Sequence, residues 1–419
     1  MDVICRSENC TLCMACANAC PKNAICVSQD EYGYERLAID RVRCIDCGLC
    51  KQVCDSRGKV VRNEPQVAFA AQMKDKSNLR KSASGGAFQV LAQIVLEEGG
   101  VCYGCAFDRE GGAFRAEHKR VDSREALSVL LNSKYIPSMI GNAYREAQKD
   151  LKMGRKVLFS GTPCQIQGLH AFLKQDYDNL FTADIICHGV TSTKIFNDYI
   201  GYIEARNGIK IVSYFFRDKK ISWGTNFCYS YYKLNDPSKR IHEAHWPREE
   251  SSYMMQYLRG NIFRENCYFC GLSNTARVSD FTLGDYWGIE REHPELATRK
   301  EARIVLRQGV SCVLVNTDKA LKLADLLQEK MVLHEVPLVS VVAHNGNLRE
   351  ASPRGANRDL ILNIYREQGY AQIEKDYQKE TGRKIAIYRA KNALKACLPD
   401  RVRIMMYNSP TLRRIIFHD

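Results

Sequence analysis

No apolar run in this sequence reaches the roughly 18–20 residues of a membrane-spanning helix. The residues ahead of Cys10 lack the charged region, apolar stretch and cleavage site of a secretory signal. These absences argue against a transmembrane segment and export and point to a cytoplasmic chain. There is also no ribonucleoprotein aromatic motif, no Cys2His2 finger and no unbroken basic block, so the net charge of +13 is not read as a nucleic-acid footprint. That charge suits an acidic protein, an anionic membrane surface or an anionic coenzyme instead. What the chain has in excess is cysteine, nineteen in 419 residues, mostly in its first fifth or in CxxC pairs. This is metal-ligand usage, not a disulfide framework. The length fits two or three domains of roughly 100–200 residues, and 45% hydrophobic residues suffice for a substantial core.

Cys10, Cys13, Cys16 and Cys20-Pro21 form a C-x2-C-x2-C-x3-C-P run, which recurs as Cys44, Cys47, Cys50 and Cys54 with Asp55 in place of proline. In such bacterial ferredoxin pairs the fourth cysteine of each run ligates the other cluster. One 4Fe-4S cluster is therefore assigned to Cys10, Cys13, Cys16 and Cys54, and a second to Cys44, Cys47, Cys50 and Cys20. Small neighbours such as Ala15, Ala17 and Gly48 let backbone N–H groups approach sulfur. Zinc also takes CxxC pairs, but a triple CxxCxxC with a remote fourth ligand favours iron–sulfur. Cys5 and Cys26 lie outside the spacing and read as small core residues.

Arg57 to Pro65 reads as a linker and Val67 to Met73 as the first strand of a new domain. Ser82-Ala-Ser84-Gly85-Gly86 then opens an amphipathic helix, as either an anion site or an ordinary N-cap. Lys156–Ser160, Gly161-Thr162-Pro163-Cys164-Gln165, Ile166–Leu173 and Ala183–Cys187 read as strand, turn, helix and strand. This is a β-α-β unit with its turn at the ligand-binding edge of a parallel sheet. Cys164, Cys187 and the pair Cys267/Cys270 are compatible with a third 4Fe-4S cluster, or with buried thiols and an incidental CxxC. Cys102 and Cys105 lie three apart on a strand and should diverge into the core. His118, His170, His242 and His245 have no partner at metal spacing.

Taken in order, the ferredoxin repeat, SASGG, NSKYIPS (Asn132–Ser138), SGTPCQIQGL, ICHGV, NCYFC and SDFTLGDYWG resemble the coenzyme F-420 hydrogenase/dehydrogenase beta-subunit family over about residues 1–320. The resemblance implies FAD, strengthens the third cluster on Cys164, Cys187, Cys267 and Cys270, and places Ser84, Gly85 and Gly86 at the FAD phosphates. It makes Thr162 and Gln165 further cofactor-binding candidates, and Lys134 and His188 catalytic candidates beside the flavin. Asp280 and Asp285 are expected to be structural.

The expected fold is α+β or α/β: a ferredoxin-like 2x(4Fe-4S) module (1–62), then a mixed α/β FAD-binding domain (63–335, in parts 63–150 and 151–335). A helical basic tail (336–419) follows, its charges including Arg383, Lys384, Arg389, Lys391, Lys395, Arg401, Arg403, Arg413 and Arg414. The tail reads as a solvated helix face or as a peripheral membrane or partner contact. The leading expectation is a stand-alone oxidoreductase passing electrons from ferredoxin or a partner through the clusters to FAD and a small-molecule acceptor, since flavin joins one- and two-electron chemistry. The alternative is a beta-type electron-transfer subunit of a larger hydrogenase or dehydrogenase complex, using a deazaflavin coenzyme. A third reading makes the clusters structural in a sensing or binding protein.

Overall fold

A computed structural model describes residues 4–220, 223–298 and 304–398, with positions 402, 405, 406 and 409 beyond them. Arg401, Arg403, Arg413 and Arg414 of the expected basic tail lie outside the described residues.

The strands in chain order are β1 (Ile25–Gln29), β2 (Glu35–Ile39), β3 (Val67–Met73), β4 (Val101–Glu110), β5 (Ala113–Val121), β6 (Ser138–Met139) and β7 (Val157–Gly161). They continue as β8 (Leu180–Ile185), β9 (Ile209–Phe215), β10 (Phe227–Lys233), β11 (His242–Trp246), β12 (Phe281–Asp285), β13 (Ser311–Val315) and β14 (Met331–Val336). The first two form an antiparallel hairpin, β11-β10-β9 a three-stranded antiparallel sheet, and the rest one nine-stranded sheet in the order β14-β3-β13-β12-β8-β7-β4-β5-β6.

The hairpin belongs to the ferredoxin module, whose two cysteine runs each lead into a short helix, Ala15–Ala19 and Leu49–Ser56. The repeat extends to the backbone. Leu12 and Asp46, then Met14 and Gly48, occupy equivalent places and all have positive φ, although only one is glycine. Left-handed residues between right-handed ones turn successive N–H groups to one side, and the N–H groups of Leu12, Ala15 and Ala17 reach the sulfurs of Cys10, Cys13 and Cys16.

The expected β-α-β unit is present. β7 and β8 pair in parallel around the helix Pro163–Leu173, and β4 and β12 extend the parallel stretch on either side. Thr162 caps that helix in a reciprocal box with Gln165, and proline fills the first helical position, where no N–H is needed. Buried on both faces, β7 sends Leu158 toward the helix Ala87–Glu97 and Val157 and Phe159 toward the helices Ala143–Lys152 and Pro163–Leu173. Both expected parts of the large domain, 63–150 and 151–335, thus contribute strands to one sheet.

Two boundaries differ from expectation. The linker is anchored: Arg57–Lys59 is a 3-10 turn, and Asn63 bridges Arg277. The module itself is held by Arg145 Nε on Asn18 O (2.6 Å), Arg264 Nη1 on Glu35 O (2.6 Å) and Ser192 Oγ on Gly33 O (2.7 Å). The chain beyond 336 is helical, but its first part is no free tail. Leu362, Tyr365, Tyr370 and Ile373, from the helices Arg358–Gln368 and Tyr370–Cys397, complete an aromatic core with Phe196, Tyr199, Tyr214, Phe216 and Tyr253. Such rings bury large areas and pack edge to face, as Phe196 does against Tyr253 at 5.1 Å. Charge pattern alone could not show this, because the basic residues that made the segment look solvated begin at Arg383, after the packed Leu362 to Ile373 stretch. Among the described residues no helix is long and apolar enough to cross a membrane.

Candidate redox site

Three groups of cysteines lie in sequence through the molecule. Cys20, Cys47 and Cys50 are near enough to interact electrostatically, Cys47 is exposed, and the Cys20 sulfur accepts Ala24 N–H at 3.2 Å. Cys10, Cys13, Cys16 and Cys54 line one apolar cavity of about 210 Å3 within the module, between its helices and hairpin, with Arg264 of the large domain at its wall. The fold thus brings Cys54 to the first run and Cys20 to Cys47 and Cys50 of the second.

Cys5 lines this cavity too, and its thiol donates to the sulfurs of Cys10 and Cys54, holding both below the usual thiol range. This corrects its reading as a core residue; only a chain reversal between residues 5 and 10 brings it there, and spacing does not encode that. Burial pushes Cys13 and Cys16 upward in the absence of a cation. Arg57 sits against the same sulfurs, Nη2 at 3.4 Å from Cys54 Sγ and Nη1 at 3.9 Å from Cys13 Sγ, with Thr11 Oγ1 accepting at 2.8 Å.

The third group comes from three segments. Cys164 lies in the first turn of the helix Pro163–Leu173, Cys187 follows β8, Cys267 lies within a 3-10 turn at Glu265–Phe269 and Cys270 ends it. All four line a second, larger cavity of about 490 Å3, and Cys267 and Cys270 raise both Cys164 and Cys187 electrostatically. With burial the largest cause, Cys164 is pushed up to about 12 and Cys267 to about 11. In a tetrahedral zinc site with Zn–S near 2.3 Å, sulfurs stand about 4 Å apart. Among the described residues no four-cysteine set draws its sulfurs within 4.8 Å of one another. The sulfurs of these sets therefore stand wider apart than in a tetrahedral zinc site. The second and third groups adjoin: a Cβ at Gly168 would meet Cys13 Cβ at 2.9 Å and Sγ at 3.0 Å, and buried Tyr144 donates to both Cys13 O (2.9 Å) and Gln165 O (2.6 Å).

The larger cavity also receives most residues the sequence singled out. Lys134, Thr162, Gln165, His188, Ser84 and Gly86 line it; Gly85 does not. A Cβ at Gly85 would fall 2.0 Å from Ala71 O, and its N–H donates to Ser311 Oγ at 2.9 Å, so Gly85 serves close packing against the sheet. Ser84 likewise gives its hydroxyl to Val310 O at 2.7 Å. The Gly85 N–H and the Ser84 hydroxyl are thus engaged within the fold, while Ser84 and Gly86 line the cavity. Gln165 is also engaged, accepting Thr162 N–H and donating to Ser138 O at 2.9 Å, while Thr162 Oγ1 lies 3.1 Å from Cys164 Sγ. Lys134 Nζ donates to the carbonyls of Cys105 (2.8 Å), Leu130 (3.1 Å) and Leu131 (2.6 Å), and burial lowers it to about 8. Burial also lowers His188.

Sequence reasoning missed several lining groups. His118 holds Ser138 Oγ and Ser160 O at 2.9 Å each and is lowered to about 4 by burial, so it is neutral. Cys105 lines the cavity while Cys102 points to the opposite core, the divergence expected of a strand. Arg217, whose pKa burial opposes and Asp285 raises, forks onto Asp285 at 2.7 and 2.9 Å; Trp223 Nε1 joins at 2.8 Å. Asp280 is tied to Thr182 and Thr317, as a structural residue should be. Basic Lys134, Arg217, Arg248 and Arg277 outnumber the single lining carboxylate, Asp285. Buried Gln89 Oε1 and Arg217 Nε, both on lining residues, have no partner among the described residues. A cavity of this size, with a few convergent polar groups left open, fits an anionic organic cofactor.

These features define an iron–sulfur redox protein with a cofactor-sized cavity. Residues 154–340 match the family of the coenzyme F420 hydrogenase/dehydrogenase beta subunit, C terminus, and residues 9–57 match the 4Fe-4S dicluster domain. The match to the beta-subunit family thus covers the central part of the large domain, behind a dicluster module. The xenon-derivatised F420-reducing [NiFe] hydrogenase complex from Methanosarcina barkeri is similar to it at 16% identity, covering 76% of this chain and 92% of that one, with a TM-score of 0.40. No curated protein is a significant match.

Proposed function

We propose that the protein is a beta-type electron-transfer subunit that connects a redox partner, docked at the exposed Cys47 end of the module, with a two-electron carrier at the large cavity. In this reading Cys10, Cys13, Cys16 and Cys54 hold one 4Fe-4S cluster, Cys20, Cys44, Cys47 and Cys50 a second, and Cys164, Cys187, Cys267 and Cys270 a third. FAD occupies the cavity, with Arg217 and Gln89 facing its polar parts. Bound clusters supply one-electron transfer and a bound flavin exchanges it with two-electron chemistry. The observation that carries the proposal is continuity: the Cys164 helix rests on Cys13, and the Cys164 set opens into the cavity.

The chain's own residues define the conditions there. His118 is neutral and Lys134 sits in a buried carbonyl cage, so Lys134, lowered toward neutrality, is the group that can hold or release a proton near the cavity. The excess of basic residues attracts an anionic coenzyme, such as the deazaflavin named for the family. The stand-alone reductase becomes the second reading. The fused module favours it, because electrons then need no dedicated subunit.

Anaerobic purification with iron, sulfide and flavin quantified per chain tests the proposal. Three clusters and a flavin require about twelve irons with one FAD. Eight irons without flavin, even after FAD is supplied, would leave a two-cluster carrier and remove the cavity from the pathway.

A further inference from the structure

One cluster of metal-ligating side chains lies outside the redox site. Asp218 follows β9, Cys228 is on β10 and His245 on β11; Cys228 and His245 are direct cross-strand partners. One donor atom from each falls within 4.8 Å of the others, and all three residues are half-buried. Their strand neighbours Phe227 and Tyr229 point into the aromatic core, so the set occupies the sheet's other face. His245 Nδ1 lies 2.7 Å from Asp218 Oδ2.

A nucleophilic Cys-His-Asp arrangement does not explain the set. It needs the thiol on the imidazole nitrogen that the carboxylate leaves free, and that nitrogen, Nε2, lies 2.9 Å from Lys220 Nζ. Burial, assisted by Asp218 and Glu243, pushes the Cys228 thiol up to about 12, the opposite of an activated cysteine. A divalent cation resolves both features. It would favour the thiolate and balance Asp218, with Lys220 the opposing charge among the described residues and Glu243, 3.4 Å from His245 Nε2, a nearby carboxylate.

We propose that Asp218, Cys228 and His245 form a zinc site on the outer face of the three-stranded sheet. One soft sulfur, one imidazole and one carboxylate suit zinc and do not suit calcium or magnesium. Three protein ligands leave a fourth position for Glu243 or water. The placement gives the ion a structural consequence. Asp218 N donates to Asn226 O at 2.7 Å, closing the connection that carries Trp223 and Thr225. Trp223 stacks on Trp287 at 5.0 Å and donates to Asp285, and Arg217 immediately precedes Asp218. Zinc here would tie β9, β10 and β11 together where they support one wall of the large cavity.

The test uses the full-length, cluster-loaded protein and zinc alone. Zinc and iron per chain are measured by elemental analysis, and the zinc environment by X-ray absorption. We expect one zinc per chain with one sulfur and otherwise nitrogen and oxygen neighbours, lost in Cys228→Ser and in His245→Ala with iron unchanged. After chelation and readdition of Zn2+, each variant should bind at least ~100-fold more weakly, since even an outer-shell partner is worth about 10–100-fold. Lys220→Ala, on the same surface but no ligand, should keep its zinc. Wild-type protein holding no more zinc than the Cys228→Ser/His245→Ala double variant would overturn the proposal, as would zinc surrounded by sulfur alone.

Discussion

Arg57 places a full positive charge against two sulfurs of one cysteine set. Reducing a cluster adds negative charge, so a neighbouring guanidinium raises its potential. Opposite charges about 4 Å apart at an effective dielectric near 20 interact by about 4 kcal/mol. Allowing for screening by solvent and by the other thiolates, Arg57→Gln should lower the potential of that cluster by roughly 50–150 mV, with 59 mV per tenfold for one electron. Arg57→Lys should lower it less, because charge remains but the fork is lost. Redox titration followed by electron spin resonance reads both; unchanged potentials would mean the guanidinium is fully screened. Lys134 makes a different prediction. Burial lowers it to about 8 from the usual 10.5, so between these values the unfolded chain binds a proton that the folded chain has released. Below about 8 both states are protonated and the burial penalty is complete; stability gained from its release then grows as pH rises to 10.5. The stability of wild type relative to Lys134→Met should accordingly increase across that window in denaturant titrations, and a flat difference would show an ordinary lysine.

The helix Pro163–Leu173 brings Cys164 to the cavity and, through Gly168, its side to the ferredoxin module. Alanine at 168 gains about 1 kcal/mol of helix propensity against a tight contact with Cys13. Valine adds branches and should cost about 1–3 kcal/mol by overpacking, disturbing the spectrum of the nearer cluster while sparing the other. β8 is secured by a fully buried pair: Arg277 Nη2 lies 3.0 Å from Asp184 Oδ1, off the hydrogen-bond line because the guanidinium donates to Thr282 Oγ1 and to the carbonyls of Leu272, Asn274 and Ile185. Arg277→Met leaves a buried carboxylate unpaired and should cost about 3–5 kcal/mol; adding Asp184→Asn should recover much of it, as thermal or denaturant unfolding would show. Neither element's role is visible at the sequence level. The eight ferredoxin cysteines were legible because a short turn around a cluster imposes local spacing, and the β7–β8 unit because a buried strand, a Pro-started helix and another strand each leave a local pattern. Cys5, Arg57, Arg217 and the Asp218-Cys228-His245 group were not, since each acquires partners only through chain reversals or cross-strand register. Ser84 and Gly85 were ambiguous for the opposite reason. Serine and glycine before a helix suit a phosphate equally well as a tight approach to Ala71 and Val310.

Across the molecule the three cysteine groups run from the exposed Cys47, past the buried Cys13 and Cys16, to the half-buried Cys164 group at the large cavity. Such an order is useful to a carrier, because one partner can reach the exposed end while a second reactant uses the cavity at the other. It also separates the third group from the dicluster module, which folds around its own helices and hairpin. Loss of the third group should therefore leave the other two intact. Cys270→Ser removes a half-buried sulfur from a turn with no part in the module, so iron should fall from about twelve to about eight per chain while the interacting spectrum of the two module clusters persists. Cys47→Ser should do the converse, impairing the exposed cluster and leaving the cavity's. If Cys270→Ser retains all its iron, Cys164, Cys187 and Cys267 are buried thiols and electrons reaching the cavity must leave directly from the cluster beside Gly168.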